Sequence, residues 1–198
     1  LVHFLNYYQK LMIKAPKVIP SLRVFRPNSL RKKTNGIVVH SMSEKFSGKS
    51  ASEFLQEIGL SVHAFIHVDG RIELAQVQGK KAYHAGKSEW KGETSLNNTF
   101  LGVELLVRHS YANNQFESFK NTVMNTDWVG AAQFDSLVWL CRKWSKEYDI
   151  DLDNIVRHSD TSGDHVRGHN KGKFDVGDGF PWKLFKDYMN GNGLADKL

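Results

Sequence analysis

The sequence predicts an α+β domain, with helices packed around one mixed β-sheet. Three observations predict it. Strand-like β-branched runs and helix-period stripes share the same stretch of chain without a strict strand–helix–strand alternation. A length of 198 residues fits one domain and can hide roughly 70% of the surface of the unfolded chain. A hydrophobic content of 40% with 12% aromatics excludes a disordered chain. The expected organisation is an N-terminal helix and irregular arm over residues 1–35, one domain over 36–190 and a tail over 191–198.

Leu1, Phe4, Leu5, Tyr8, Leu11 and Met12 recur at helical spacing and predict a short amphipathic helix. A membrane-surface anchor is one reading of it, and a helix packed on the domain is the expected one. A chain starting at Leu1, not Met, is expected to have been processed or cut from something longer. Ala15 to Asn35, with Pro16, Pro20, Pro27 and the basic run Arg31-Lys32-Lys33, reads as an irregular arm. Gly36 to His40 is a β-branched run and predicts a buried strand ending at the histidine. Ser50 and Glu53 form a capping box that opens a helix through Phe54, Leu55 and Ile58, stopped by Gly59. Val62 to Val68 and Arg71 to Val77 alternate around Asp69-Gly70 and predict a hairpin.

Phe100 to Val107 is a further strand, broken in its apolar run only by Gly102 and Glu104. His109 to Asp127 reads as a long loop. Phe134, Leu137, Val138, Cys141 and Trp144 trace one face of a helix running to about Glu147. Asn154 to His158 predicts a short strand that again ends at a histidine. Asp160 to Asp178 reads as a loop rich in Gly, His and Asp, and Pro181 opens a last helix with Trp182, Phe185 and Met189 as its stripe.

No apolar run approaches the roughly 20 residues that span a bilayer. The lone Cys141 excludes an internal disulfide and a thiolate zinc finger. A net charge of +6 and a pI near 9.3 favour an anionic partner: nucleic acid, a phospholipid surface or a cell-wall polymer. The basic residues are scattered and no docking motif for nucleic acid appears, so no nucleic acid is expected.

Most of the nine histidines have structural explanations. His3, His109, His165 and His169 sit in polar or terminal segments and read as surface residues. His63 and His67 share one face of the hairpin by its period of two, which fits a metal pair or, more commonly, hydrogen-bonded structural histidines. His40 and His158 differ, because each closes an apolar strand where the backbone holds a side chain rigidly. A catalytic zinc takes three protein ligands and keeps one position open. With the only cysteine on a buried helix face, the third ligand should be a carboxylate: Asp160, Asp164, Asp175 or Asp178. Spacing alone does not choose among them. Glu104, flanked by apolar residues, is either a solvent-facing edge-strand residue or a general base with a pKa raised by desolvation.

An ordered set of motifs resembles the zinc-dependent N-acetylmuramoyl-L-alanine amidases of the type 2 class, relatives of phage amidases and of animal peptidoglycan recognition proteins. The matching stretches are Ile37-Val38-Val39-His40, Ser61-Val62-His63-Ala64-Phe65-Ile66, Ala82-Tyr83-His84-Ala85-Gly86-Lys87-Ser88 with Trp90, and Leu96-Asn97-Asn98 leading into Leu101-Gly102-Val103-Glu104-Leu105. Val156-Arg157-His158-Ser159-Asp160, Gly172-Lys173-Phe174-Asp175 and Gly179-Phe180-Pro181-Trp182 follow in family order. The resemblance implies one Zn2+ per chain on His40, His158 and Asp175, with Glu104 and Lys173 assisting and His84, Trp90 and Asn98 lining the substrate groove. It implies hydrolysis of the amide between the lactyl group of N-acetylmuramic acid and L-Ala of the peptidoglycan stem peptide. The alternative is a peptidoglycan-binding module that does not cut; such relatives commonly lose a ligand, and here all three are present. The implied substrate is peptidoglycan or a muropeptide, the implied placement is periplasmic or secreted, with the cytoplasm, where some relatives work, as the alternative, and a monomer is expected. Ser41 stands where the family often has a second histidine. The segment from Asp160 to Lys173 is longer than usual and brings Asp164, His165 and His169 as competitors for the metal or as reshapers of the groove. The loop from His109 to Asp127 also reads as enlarged.

Overall fold

The computed structural model describes residues 15–21, 29–111 and 116–191. The expected N-terminal helix over Leu1 to Met12 and the tail beyond 191 lie outside these residues. The centre of the sheet is β2 (Gly36–Phe46), paired in parallel along its whole length with β8 (Phe100–Tyr111). On its other side β2 pairs in parallel with β9 (Ile155–Arg157) and antiparallel with β3 (Lys49–Ser50). Beyond β8 lie β4 (Ala64–Ile66), parallel to it, then β5 (Ile72–Leu74), antiparallel to β4, and then β1 (Val18–Pro20), parallel to β5. The sheet is therefore mixed, as expected. A separate two-stranded ribbon joins β6 (Glu89–Trp90) to β7 (Glu93–Thr94).

The period of two sorts β2 between two cores. Ile37 and Val39 face one side, with Leu101, Val103 and Leu105 of β8, and pack under the long helix α3 (Ala131–Tyr148) and α6 (Trp182–Met189) through Leu137, Val138, Trp144 and Phe185. Val38 and Met42 face the other side. Met42 joins Phe65, Leu106 and Leu55 of α1 (Ala51–Glu57), whereas Val38 joins Phe100, Leu96 and Val156. His40 lies between Val38 and Met42, so its ring emerges in the gap between those two apolar clusters. The capping box of α1 forms as expected: the Ser50 amide donates to Glu53 Oε2 at 2.8 Å, and the Glu53 amide to Ser50 Oγ at 3.3 Å. The hairpin forms too, closed by His67 and Arg71 around a loop whose Gly70 takes φ +84°, a conformation that favours glycine.

Four expectations are corrected. The arm from Ala15 to Asn35 is not wholly irregular, since β1 extends the main sheet. The strand of His40 does not end there but runs on to Phe46, because backbone pairing with β8 continues where the apolar run stops. The segment from His109 to Asp127 is no simple loop: β8 continues to Tyr111, and α2 (Phe116–Asn125) packs Phe119 and Val123 against Val107. The stretch from Asp160 to Asp178 contains α4 (His158–Ser162) and α5 (Asp164–Arg167). Asp160 explains the first of these, because its carboxylate accepts from the Arg157 amide at 3.0 Å and caps the turn.

Candidate metal centre

Three strands set the site. In the β2–β8 register His40 stands opposite Glu104, and in the β2–β9 register Val39 stands opposite Arg157, which puts His158 beside His40. Paired residues of parallel strands share a face, so His40 and Glu104 emerge side by side. β8 lies between β2 and β4, which removes the edge-strand reading of Glu104. The chain then leaves the sheet and returns through the segment after α5, where Asp175 meets the two imidazoles. The Ser159 amide donates to the Asp175 carbonyl at 2.8 Å and holds this return.

The ligand atoms of His40, His158 and Asp175 all lie within 4.8 Å of one another. His40 Nδ1 is 3.4 Å from Asp175 Oδ2, and His158 Nδ1 is 3.1 Å from both Asp175 oxygens. His158 Nε2 faces the carbonyl oxygen of Ala85 at 3.3 Å. A carbonyl only accepts, so Nε2 carries the proton and Nδ1 of the neutral ring is bare. Without a metal such a nitrogen and carboxylate must share a proton, and a metal ion can take that proton's place. These residues therefore fit a metal ion, two imidazoles and one carboxylate being a donor set suited to zinc. The other carboxylates left open by spacing are engaged elsewhere. Asp160 caps α4 and pairs with Arg157, Asp164 accepts from the Asn170 and Gly172 amides, and Asp178 lies 3.6 Å from Arg157. His165 donates to the Asp160 carbonyl, and His169 is exposed 4.0 Å from Asp164, so neither joins the cluster.

The electrostatics follow from burial. Burial, reinforced by neighbouring His158, pushes the His40 imidazole down to about 4. Burial would raise the Asp175 carboxyl, but adjacent His158 and His40 outweigh it and hold the group below the usual carboxylate range. Glu104 goes the other way: burial, and then the negative charge of Asp175, raise its carboxyl well above the ordinary value, with Lys173 opposing. Glu104 Oε2 is shut off from solvent and has no hydrogen-bond partner among the described residues. Lys173 itself is exposed and is tied in through its amide, which donates to the Ser162 carbonyl at 2.8 Å.

The expected groove residues fare differently. Trp90 lies over the Val38–Phe100 cluster and donates from Nε1 to Asn154 Oδ1 at 3.2 Å; its ring borders a surface cleft with Ser159, His165 and Phe174. His84 is half-buried, with both of its ring nitrogens engaged by the protein, one facing His40 Nε2 at 3.0 Å and the other the Phe100 carbonyl at 3.2 Å. Asn98 sits in a single 3-10 turn, while its neighbour Asn97, quoted within the motif but given no role by the sequence, accepts from the amides of both His84 and Ala85. His63 and His67 form no metal pair. His67 contacts Glu73 at 3.0 Å, and His63 is fully buried between the Gly102 amide and the Lys80 carbonyl.

Burial pushes the His63 imidazole down to about 3, against 6.5 for the free group. A depressed pKa stabilises the fold above pH 6.5, and that stability is lost as pH falls from 6.5 toward 3, because the unfolded chain takes up the proton first. Each such histidine contributes a slope of up to about 1.4 kcal/mol per pH unit. Glu104 acts in the opposite sense above its ordinary value of 4.5. The expected result is a steeper acid-side slope of unfolding free energy in the metal-free wild type than in His63→Gln, read by urea titration between pH 4.5 and 7.5.

Comparison with known proteins places these observations. A protein-family model described as N-acetylmuramoyl-L-alanine amidase matches residues 30–172, well over half of the chain. The chain is 27% identical over 157 residues to the N-acetylmuramoyl-L-alanine amidase AmiD of Escherichia coli (strain K12), covering 74% of this chain and 50% of that protein. It is 28% identical over 139 residues to the 1,6-anhydro-N-acetylmuramyl-L-alanine amidase AmpD of Salmonella typhimurium, covering 69% of this chain and 62% of that one. It thus spans half to under two thirds of these curated relatives. Among solved structures, the hydrolase AmiA of Staphylococcus aureus superposes with a TM-score of 0.65 at 18% identity, over 97% of this chain and 90% of that one. The amidase LysC of Clostridium intestinale superposes with a TM-score of 0.61 at 22% identity, over 89% and 99%. These likenesses show a shared fold.

Proposed function

We propose, for a chain that belongs to the N-acetylmuramoyl-L-alanine amidase family, zinc-dependent hydrolysis of the amide joining the lactyl group of N-acetylmuramic acid to L-Ala of the stem peptide. One observation carries the reading: His40, His158 and Asp175 converge beside a buried Glu104 oxygen that has no partner among the described residues. Zinc held by these three residues would supply Lewis acidity, polarising the amide carbonyl and making a bound water acidic near pH 7. Glu104 takes a proton from the attacking water at its carboxylate and passes it to the leaving nitrogen, and the C–N bond breaks to a lactyl carboxylate and a free L-Ala amine. Its raised pKa suits the first half of this role, because a more basic carboxylate takes a proton from water more readily. The Lys173 ammonium, whose charge reaches Glu104, stabilises the oxyanion that forms on the carbonyl.

The net charge of +6 suits an anionic wall polymer. Among the described residues no helix is long and apolar enough to cross a membrane. We assign the reaction to the unit over 36–190, to a monomer with one zinc, and to the periplasmic or secreted side of the cell. A solved complex of the Escherichia coli AmiD holds the substrate anhydro-N-acetylmuramic acid-L-Ala-D-γ-Glu-L-Lys, which supports a soluble muropeptide as the first substrate to try. Incubated with muropeptide, the zinc-loaded protein should release new L-Ala amino termini, and chelation should stop the release. Zinc-loaded protein that binds wall material and releases none would overturn the enzyme reading in favour of a binding module.

A further inference from the structure

We infer that the His84–Ala85 dipeptide orients both histidine ligands, His84 through its side chain and Ala85 through its carbonyl, so that each ligand ring turns its Nδ1 lone pair toward Asp175. The inference rests on the zinc reading above. His84 Nε2 lies 3.2 Å from the Phe100 carbonyl, which only accepts, so this nitrogen carries the ring proton and Nδ1 is bare. That bare Nδ1 is 3.0 Å from His40 Nε2, which must therefore be the donor. The one remaining nitrogen of His40, Nδ1, is left unprotonated 3.4 Å from Asp175. Ala85 does the same for His158, its carbonyl taking the Nε2 proton at 3.3 Å. Arg167 Nη2 also donates to that carbonyl, at 3.3 Å, and helps to fix its direction.

The dipeptide is itself held from two sides. Asn97 Oδ1 accepts from the His84 amide at 3.0 Å and the Ala85 amide at 2.8 Å, so one side chain sets both orienting groups. Behind the His84 ring lies Gly102, where a Cβ would come within 2.6 Å of His84 Cγ. Gly102 is pinned by His63, whose Nδ1 accepts its amide at 2.9 Å. His84 is thus a positioning residue, clamped between a glycine floor and a ligand.

Two measurements test this. In zinc-loaded wild type, long-range proton–nitrogen spectra of the imidazoles should show the Nε2–H form for His40, His84 and His158; an Nδ1–H form at His84 would overturn the assignment without any variant. Zinc affinity is then measured by chelator competition, independently of turnover. His84→Leu, which offers His40 no acceptor, should bind zinc about 10–100-fold more weakly, the usual cost of losing a ligand's outer hydrogen-bond partner. His84→Asn, whose Oδ1 can replace the bare nitrogen, should recover most of that loss. Unchanged affinity in a folded His84→Leu, or equal losses in the two variants, would overturn the inference. Wild type that binds zinc yet releases no amine from muropeptide would sink the hydrolase reading and leave this one standing.

Discussion

Replacing Glu104 with Gln is expected to cut turnover by about 10²–10⁴-fold while the metal stays bound and the metal-free fold is no less stable than wild type. The two halves of this expectation share one cause. Glu104 Oε2 is enclosed without a partner among the described residues, and burial together with Asp175 disfavours its ionised form. A carboxylate in that setting strains the folded state, and an amide of the same shape removes the charge without opening a cavity. It also removes the only group opposite His40 in the β-ladder that can take a proton from water. Turnover, zinc content and thermal unfolding of the metal-free protein check the three parts. Activity at the wild-type level would strip Glu104 of its proposed role, and loss of zinc would make it a ligand.

His158→Ala is expected to lose stoichiometric zinc on dialysis and to lose activity with it. The ring is nearly fully buried, its Nδ1 lies 3.1 Å from both Asp175 oxygens, and no other histidine of the described residues is placed to replace it. The drop in affinity should exceed the roughly 10–100-fold that disturbing an outer partner costs, which separates a ligand from a positioning residue on one scale. Elemental analysis of dialysed protein is the measurement. Zinc retained at one equivalent would refute the ligand set.

What the sequence made legible was chiefly what apolar periodicity records. The Val38 and Val39 run, the α3 stripe through Trp144 and the Ser50–Glu53 box all announce themselves locally. The end of β2 does not, because beyond His40 the chain is held by backbone pairing to β8, to which side-chain polarity is indifferent. β1 has three residues and one neighbour, too little for any pattern. α2 buries only Phe119 and Val123 and so shows a weak stripe. Within the site, His40 and His158 stood out by following apolar runs, but the pairing of His40 with Glu104 is a matter of register between distant strands. The competing carboxylates were indistinguishable until Asp160 proved to be a helix cap and Asp164 a loop clasp. The contact of His84 with His40 spans 44 positions and leaves no local trace. The resemblance to a family supplied Asp175; spacing did not.

The ladder that sets His40 against Glu104 also bears on when the proposed metal site can exist. The first histidine lies in β2, the second follows β9 and the aspartate follows α5, and no two of the three are close enough in sequence to chelate on their own in an extended chain. The three proposed ligands therefore come together only once β2, β8 and β9 have aligned. On the zinc reading proposed above, the ion would seat in a sheet already built.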